Sequence, residues 1–246
     1  MRCASTACAH DTVPQVSVYD SIARLYDPWS RSVVEDVPFY LEEARRSGGP
    51  VVELAVGTGR IAVPIASDGI RVIGVDSSPG MLEVAAERAK LAGAPVDLRL
   101  GDIRDPPIDE HVPLVICPFR SFLHLHTDAD RRKALRAVHT LLQPGGRFVF
   151  DVFAPSREDI VDTNSRWLER EPGIWERAVW DEETRTLTLT VRDDDAESTL
   201  QLAWLEPDRW RELLESEGFT VEALYGWFDR TPYAGDEDTI WVASRS

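Results

Sequence analysis

The sequence predicts an α/β fold, a three-layer sandwich with helices on both faces of a mostly parallel sheet. Three observations carry this expectation. Short apolar runs rich in β-branched residues (51–56, 70–75, 112–119) alternate with helix-like segments, as in successive βαβ units. The first run ends in Gly57-Thr58-Gly59 and the second in Asp76, the layout of a nucleotide-binding βαβ unit. The chain's 246 residues suffice for one such domain with an insertion and fall short of two ordinary enzyme domains.

In chain order, residues 1–13 are expected to be a disordered lead-in, and Cys3, Cys8 and His10 there lack the paired spacing of a metal site. Residues 18–27 form a helix with Tyr19, Ile22, Leu25 and Tyr26 on one face. The first strand runs into the glycine loop, where Gly57 and Gly59 permit a sharp turn and close approach to a ligand. A helix over 61–67 leads to the second strand. Asp76 ends that strand, where a carboxylate can accept from both ribose hydroxyls, and Ser77 and Met81 follow it. Residues 79–92 form a helix and 96–100 a strand, which runs into Gly101-Asp102-Ile103. After the strand at 112–119, residues 131–142 make an amphipathic helix with Ala134, Leu135, Val138, Leu141 and Leu142 inward. Pro144 stops that helix, and Gly145-Gly146 turn the chain into a fifth strand ending at Asp151.

Taken together, Glu53-Leu54-Ala55-Val56-Gly57-Thr58-Gly59, Asp76, Gly101-Asp102-Ile103 and Gln143-Pro144-Gly145-Gly146 resemble the ordered motifs of the class I S-adenosylmethionine (SAM) dependent methyltransferases. Ala55 departs from the glycine usual there. The resemblance implies a Rossmann-like fold whose seven-stranded sheet has its last strand antiparallel, and SAM as cofactor. Asp76 would hold the ribose, Asp102 would accept from the adenine amine, and Ile103 would pack on the ring. Glu53 is tolerable beside a cationic methionine end, whereas a pyrophosphate would disfavour it. Gly57-x-Gly59-x-x-Ala62 also fits a dinucleotide fingerprint, which leaves a nicotinamide-dependent oxidoreductase as a rival. The 18–27 helix resembles that of sugar and glycine N-methyltransferases, which implies that Tyr19 and Tyr26 close over SAM and the reacting centre. A purely structural apolar face is the alternative.

Residues 14–154 are expected to hold the N-terminal helices and SAM-binding core, 155–206 an antiparallel insertion, and 207–246 the return to the core. Within the insertion, strands are expected at 167–170, 174–180, 186–192 and 199–205. Residues 186–191 alternate as a half-exposed strand should. The insertion would form a lid over the acceptor. Trp167, Trp175, Trp180 and Trp204 either line that lid or form its core. A helix over 208–217 and strands at 219–227 and 239–243 complete the sheet, and Tyr225, Trp227 and Phe228 are candidates to reach the pocket. Asp193-Asp194-Asp195 reads as a solvated turn.

The segment 117–126 leaves the fourth strand where a ligand should sit. Cys117 and Phe119 join the expected SAM-contacting set, although Cys117 also reads as a buried thiol. His124 is the candidate base or acceptor-orienting group, alongside Tyr19, and His126 is a weaker candidate. Either histidine could instead pack or cap the next helix. Arg120 would bind an anion on the acceptor or pair with an acid. No metal is expected. The net charge of −16 disfavours nucleic acid, so the expected partner is a small-molecule acceptor, with a homodimer left open. No run is long enough to span a bilayer, and residues 1–10 lack a secretory core, which together lead to an expected cytoplasmic location. The expected reaction is methyl transfer to nitrogen or oxygen, nitrogen favoured. A methyltransferase fold that catalyses another rearrangement, or only binds, is the other alternative.

Overall fold

The computed structural model describes residues 17–31 and 34–246. The expectations for residues 1–13, with Cys3, Cys8 and His10, lie outside the described residues. Eleven strands form two sheets among the described residues. The first five are β1 (Val51–Leu54), β2 (Val72–Asp76), β3 (Asp97–Leu100), β4 (Val112–Cys117) and β5 (Leu142–Phe153). Next come β6 (Trp167–Glu171), β7 (Ile174–Asp181), β8 (Thr186–Arg192) and β9 (Glu197–Ala203), which make a separate antiparallel sheet. The chain returns through β10 (Phe219–Tyr225) and β11 (Asp238–Arg245). The main sheet has the order β10-β11-β5-β4-β1-β2-β3. Only β11 runs against its neighbours, pairing antiparallel with both β5 and β10. This is the expected seven-stranded sheet with its last strand reversed.

The sheet is covered on both faces because successive residues of its buried strands point opposite ways. Val51, Val72, Leu114, Ile116 and Val149 pack with α2 (Asp36–Ser47) and α3 (Ala62–Ser67). Val52, Ile73, Val115, Phe148 and Phe150 pack with α5 (Asp128–Leu141) and α7 (Pro207–Ser216). Between those pairs of helices in sequence, α4 (Pro79–Ala92) has the expected bounds. Ser78 caps its N-terminus by accepting from the Met81 amide, and Gly93 stops it in the left-handed region.

Several elements differ from expectation. Residues 18–22 are turns, and α1 spans Ala23–Trp29. The turn is held by Asp20, which accepts from Ser78 Oγ and the Gly80 amide at the start of α4. The helix α6 (Arg157–Thr163) precedes the insertion strands, with a reciprocal Ser156/Asp159 capping box. β9 starts and ends two residues earlier than expected, because a tight turn from the Asp193 amide to the Ala196 carbonyl fixes the pairing of Arg192 with Glu197. β10 ends at Tyr225, since Gly226 opens a loop closed by its amide on the Thr231 carbonyl, and this loop carries Trp227 and Phe228.

The insertion sheet turns Ala178, Leu187, Leu189, Leu200 and Leu202 toward the main core. Of its four expected tryptophans, Trp180 stacks edge-on to Trp204 at 5.5 Å and faces the cavity described below. Trp204 is buried, Trp175 is exposed, and Trp167 lies under the Arg192 guanidinium.

Candidate functional site

Two adjoining cavities lie at the C-terminal ends of the parallel strands, where ligands bind in open α/β sheets. The first, about 290 Å³, is lined by residues following β1 (Ala55, Gly57), ending or following β2 (Asp76, Ser77, Met81), and following β3 (Asp102, Ile103). The second, about 390 Å³, lies between the main sheet, the insertion sheet and the Trp227–Phe228 loop. Tyr19, Tyr26, Phe119 and His124 line both cavities.

In the first cavity the chain turns sharply after β1. Ala55 and Gly57 both take positive φ, of 55° and 54°. The turn is tied to the next strand by Asp76, whose Oδ2 accepts from the Gly57 amide and Oδ1 from the Ser78 amide, each at 2.8 Å. Burial pushes the Asp76 carboxyl above its ordinary pKa, and these amide bonds oppose the shift. A carboxylate offers about four acceptor positions, so Asp76 retains capacity toward the cavity.

Asp102 is more committed. Its oxygens accept from the Arg104 amide, Nε and Nη2, while Arg104 Nη1 reaches Asp130 at 2.7 Å. The Arg104 guanidinium holds the Asp102 carboxyl below its ordinary pKa. Arg104 therefore stands in the cavity wall beside the residue expected to take the adenine amine.

Four expected contact residues line neither cavity. Glu53 and Cys117 are buried within β1 and β4, and burial raises both pKa values well above normal. Gly59 takes positive φ and serves close packing, since a Cβ there would meet Ala85 at 3.3 Å. Gly101 serves the same purpose against Pro107. Ser17 and Arg104, outside the expected contact segments, also line the first cavity, as do Val18 of the 18–27 segment and Ser121 and Leu125 of the 117–126 segment.

The junction of the cavities is aromatic. The Tyr19 hydroxyl lies 2.7 Å from His124 Nε2, and the two rings meet edge-on at 5.4 Å. Tyr26 packs edge-on to both Tyr19 and Phe119. Burial, with nearby His126 adding to it, lowers the His124 pKa to about 4, so the imidazole is neutral at pH 7. Burial raises the pKa values of Tyr19 and Tyr26. His126 is exposed, with Nε2 3.1 Å from the Gln201 carbonyl oxygen. Among the described residues, no group of three His, Cys, Asp or Glu is placed to hold a metal.

In the second cavity, Phe119 and Arg120 are consecutive residues at positive φ, 59° and 62°. Such a pair persists only where the surroundings over-determine it. Asp151, two residues before the end of β5, supplies that constraint by accepting from both amides at 2.9 Å and from the Tyr40 hydroxyl at 2.5 Å. Burial pushes its pKa up to about 6. Arg120 is paired with Asp238 at 2.7 Å and stacks over Phe153. Trp227 and Phe228 line the cavity, while Tyr225 packs against Phe39 instead.

The N-terminal segment bridges the site. Asp20 ties it to α4, Ser198 of β9 donates to the Val18 carbonyl, and Trp29 Nε1 donates to Glu176 of β7 at 2.9 Å.

Comparison with known proteins finds similarity to methyltransferases. Residues 51–146 match the family described as "Methyltransferase domain". The YqeM protein of Bacillus subtilis, whose name places it among methyltransferases without a substrate, is 24% identical over 94% of this chain and 95% of its own. A glycine/sarcosine/dimethylglycine N-methyltransferase of Actinopolyspora halophila is 27% identical over 87% of this chain, which spans 39% of that relative. The solved CcbJ methyltransferase of Streptomyces caelestis has the same fold, with a TM-score of 0.81, 24% identity, and coverage of 94% of this chain and 98% of its own.

Proposed function

We propose that this chain, which belongs to the class I SAM-dependent methyltransferases, methylates a nitrogen or oxygen of a small molecule held in the second cavity, with SAM in the first. The observation that carries this is the shared wall of Tyr19, Tyr26, Phe119 and His124, which makes the two cavities meet at one point. Methyl transfer is an in-line displacement, so donor and nucleophile must face each other across such a junction.

The residues of the first cavity fit SAM better than a dinucleotide. Asp76 keeps acceptor positions for ribose hydroxyls, and Met81, Ile103 and Leu125 offer apolar contact to a ring. The Gly57 amide, which a pyrophosphate would need, already donates to Asp76, and that carboxylate would repel phosphate. Bound SAM supplies a methyl group already activated by its sulfonium. The chain's part is to align the acceptor and exclude water, where proper orientation lowers the barrier by about 7–11 kcal/mol. Tyr19 and His124, both neutral and joined to each other, orient the acceptor at the junction. The insertion sheet and the Trp227–Phe228 loop form the acceptor wall. Nitrogen is favoured as the acceptor atom because the Actinopolyspora relative is named for N-methylation.

Calorimetric titration with S-adenosylhomocysteine (SAH), with NADH in parallel, tests the cofactor, and label transfer from methyl-labelled SAM to amines and phenols tests the reaction. Micromolar SAH binding with transfer is the expected result. NADH binding alone would overturn it, and SAH binding without transfer to any acceptor would leave a binding protein. Asp76→Ala is expected to weaken SAH binding by roughly 1–3 kcal/mol, the cost of unmet hydrogen bonds. Unchanged affinity would remove Asp76 from the ribose.

A further inference from the structure

The second cavity is unevenly charged. Its wall carries the carboxylates of Asp36, Asp151, Asp159, Glu176, Glu237 and Asp238, against two guanidiniums, Arg120 and Arg170. Five of the six carboxylates have partners. Asp36 takes a two-pronged contact from Arg60, Asp238 takes Arg120, and Asp151 takes two amides and Tyr40. Glu176 takes Trp29 Nε1 and has Arg170 at 3.7 Å, and Asp159 takes Ser156 in the capping box.

Glu237 differs from these five. It is half-buried in the cavity wall, and no hydrogen bond or ion pair among the described residues engages its carboxylate. Burial raises its pKa, with Arg120 opposing the shift and Asp159 and Asp238 adding to it. A half-buried carboxylate with no protein donor stays open to a ligand cation, and pairing would offset its partial desolvation. The opposite wall is apolar, formed by Leu187, Leu189, Leu200 and Leu202 of the insertion sheet.

We propose that Glu237 holds a positively charged group of the acceptor, so that the enzyme selects cationic molecules with an apolar body. The proposal rests on the second cavity being the acceptor site. Glu237 lines that cavity and not the first, so the charge it holds is separate from the atom that receives the methyl group. Acceptors bearing a free carboxylate are disfavoured, because both guanidiniums of the wall already face acids.

The test is calorimetric, on the full chain saturated with SAH, using phenylbutylammonium, phenylbutanol and phenylbutyrate as matched probes. The ammonium is expected to bind about tenfold tighter than the alcohol, the scale of a hydrogen bond to a charged group, and the carboxylate weakest. In Glu237→Gln that advantage should vanish, with alcohol and SAH affinities unchanged. Equal binding of ammonium and alcohol to the natural chain overturns the proposal, as does an advantage that survives in Glu237→Gln or binding of none of the three probes. Failure of SAH itself to bind would instead sink the methyltransferase reading, and the acceptor assignment with it.

Discussion

Glu43→Ala is expected to destabilise the protein by about 3–5 kcal/mol, the cost of breaking a buried ion pair. For a chain of this size that is a fall in Tm of roughly 6–20 °C. Glu43 lies in α2, is fully buried, and is the common anion of three guanidiniums. Arg230 approaches it at 2.6 Å, Arg147 of β5 at 2.8 Å and Arg46 at 3.4 Å. Removing it leaves clustered positive charge in a partly dry site. Thermal unfolding of Glu43→Ala and Glu43→Gln measures the effect, and Gln separates lost charge from lost volume. A shift below about 3 °C would mean that Glu42, already 2.5 Å from Arg46 and 3.4 Å from Arg230, takes over as partner.

The cluster also reaches the site. Arg230 stacks over Phe39 at 4.6 Å and lies in the loop that carries Trp227 and Phe228 to the second cavity. A structural anion on α2 thus fixes one wall of the second cavity. The Glu43 variants should therefore show weaker acceptor binding at temperatures where they remain folded.

What the sequence made legible follows from how much each residue's environment is local. The buried strands β1, β2 and β4 were readable because both faces are covered, which leaves a continuous apolar run. α4 was readable to the residue, because Pro79 and Gly93 punctuate it. α6 has a legible start signal in Ser156 and Asp159, the reciprocal capping box. The choice among the four insertion tryptophans was also latent in the pattern. Trp175 and Trp180 are five apart on β7 and so face opposite ways, and Trp167 pairs with Arg177 on the outer side.

The functional geometry was less readable. Its defining contacts join residues far apart in the chain, such as Tyr19 with His124 and Tyr40 with Asp151. Motif spacing pointed to the Asp76 and Asp102 positions, but it carried no information on Arg104 closing over Asp102. Glu53, Gly59, Gly101 and Cys117 lie within the expected motif stretches yet support the loops from behind rather than facing the cavity.

His124→Ala is expected to lower kcat by about a hundredfold, the scale at which misplacing a reacting group slows an aligned reaction. SAH affinity should change little. His124 is a poor proton acceptor at neutral pH, because burial holds its pKa at about 4. Its proposed role is then to fix the Tyr19 hydroxyl, 2.7 Å away, at the point where the cavities meet. Two consequences separate this from base catalysis. Tyr19→Phe should reproduce most of the loss, and the double variant should be little worse than either single one, because the pair acts as a unit. The natural enzyme's kcat should show no imidazole inflection between pH 6 and 8, since the group is already neutral across that range. A base with an ordinary imidazole pKa would instead lose activity as pH falls through about 6.5. Steady-state kinetics of the three variants, with a kcat profile of the natural enzyme, decide the matter. Multiplicative losses in the double variant, or an inflection near 6.5 that disappears in His124→Ala, would restore His124 as the proton acceptor.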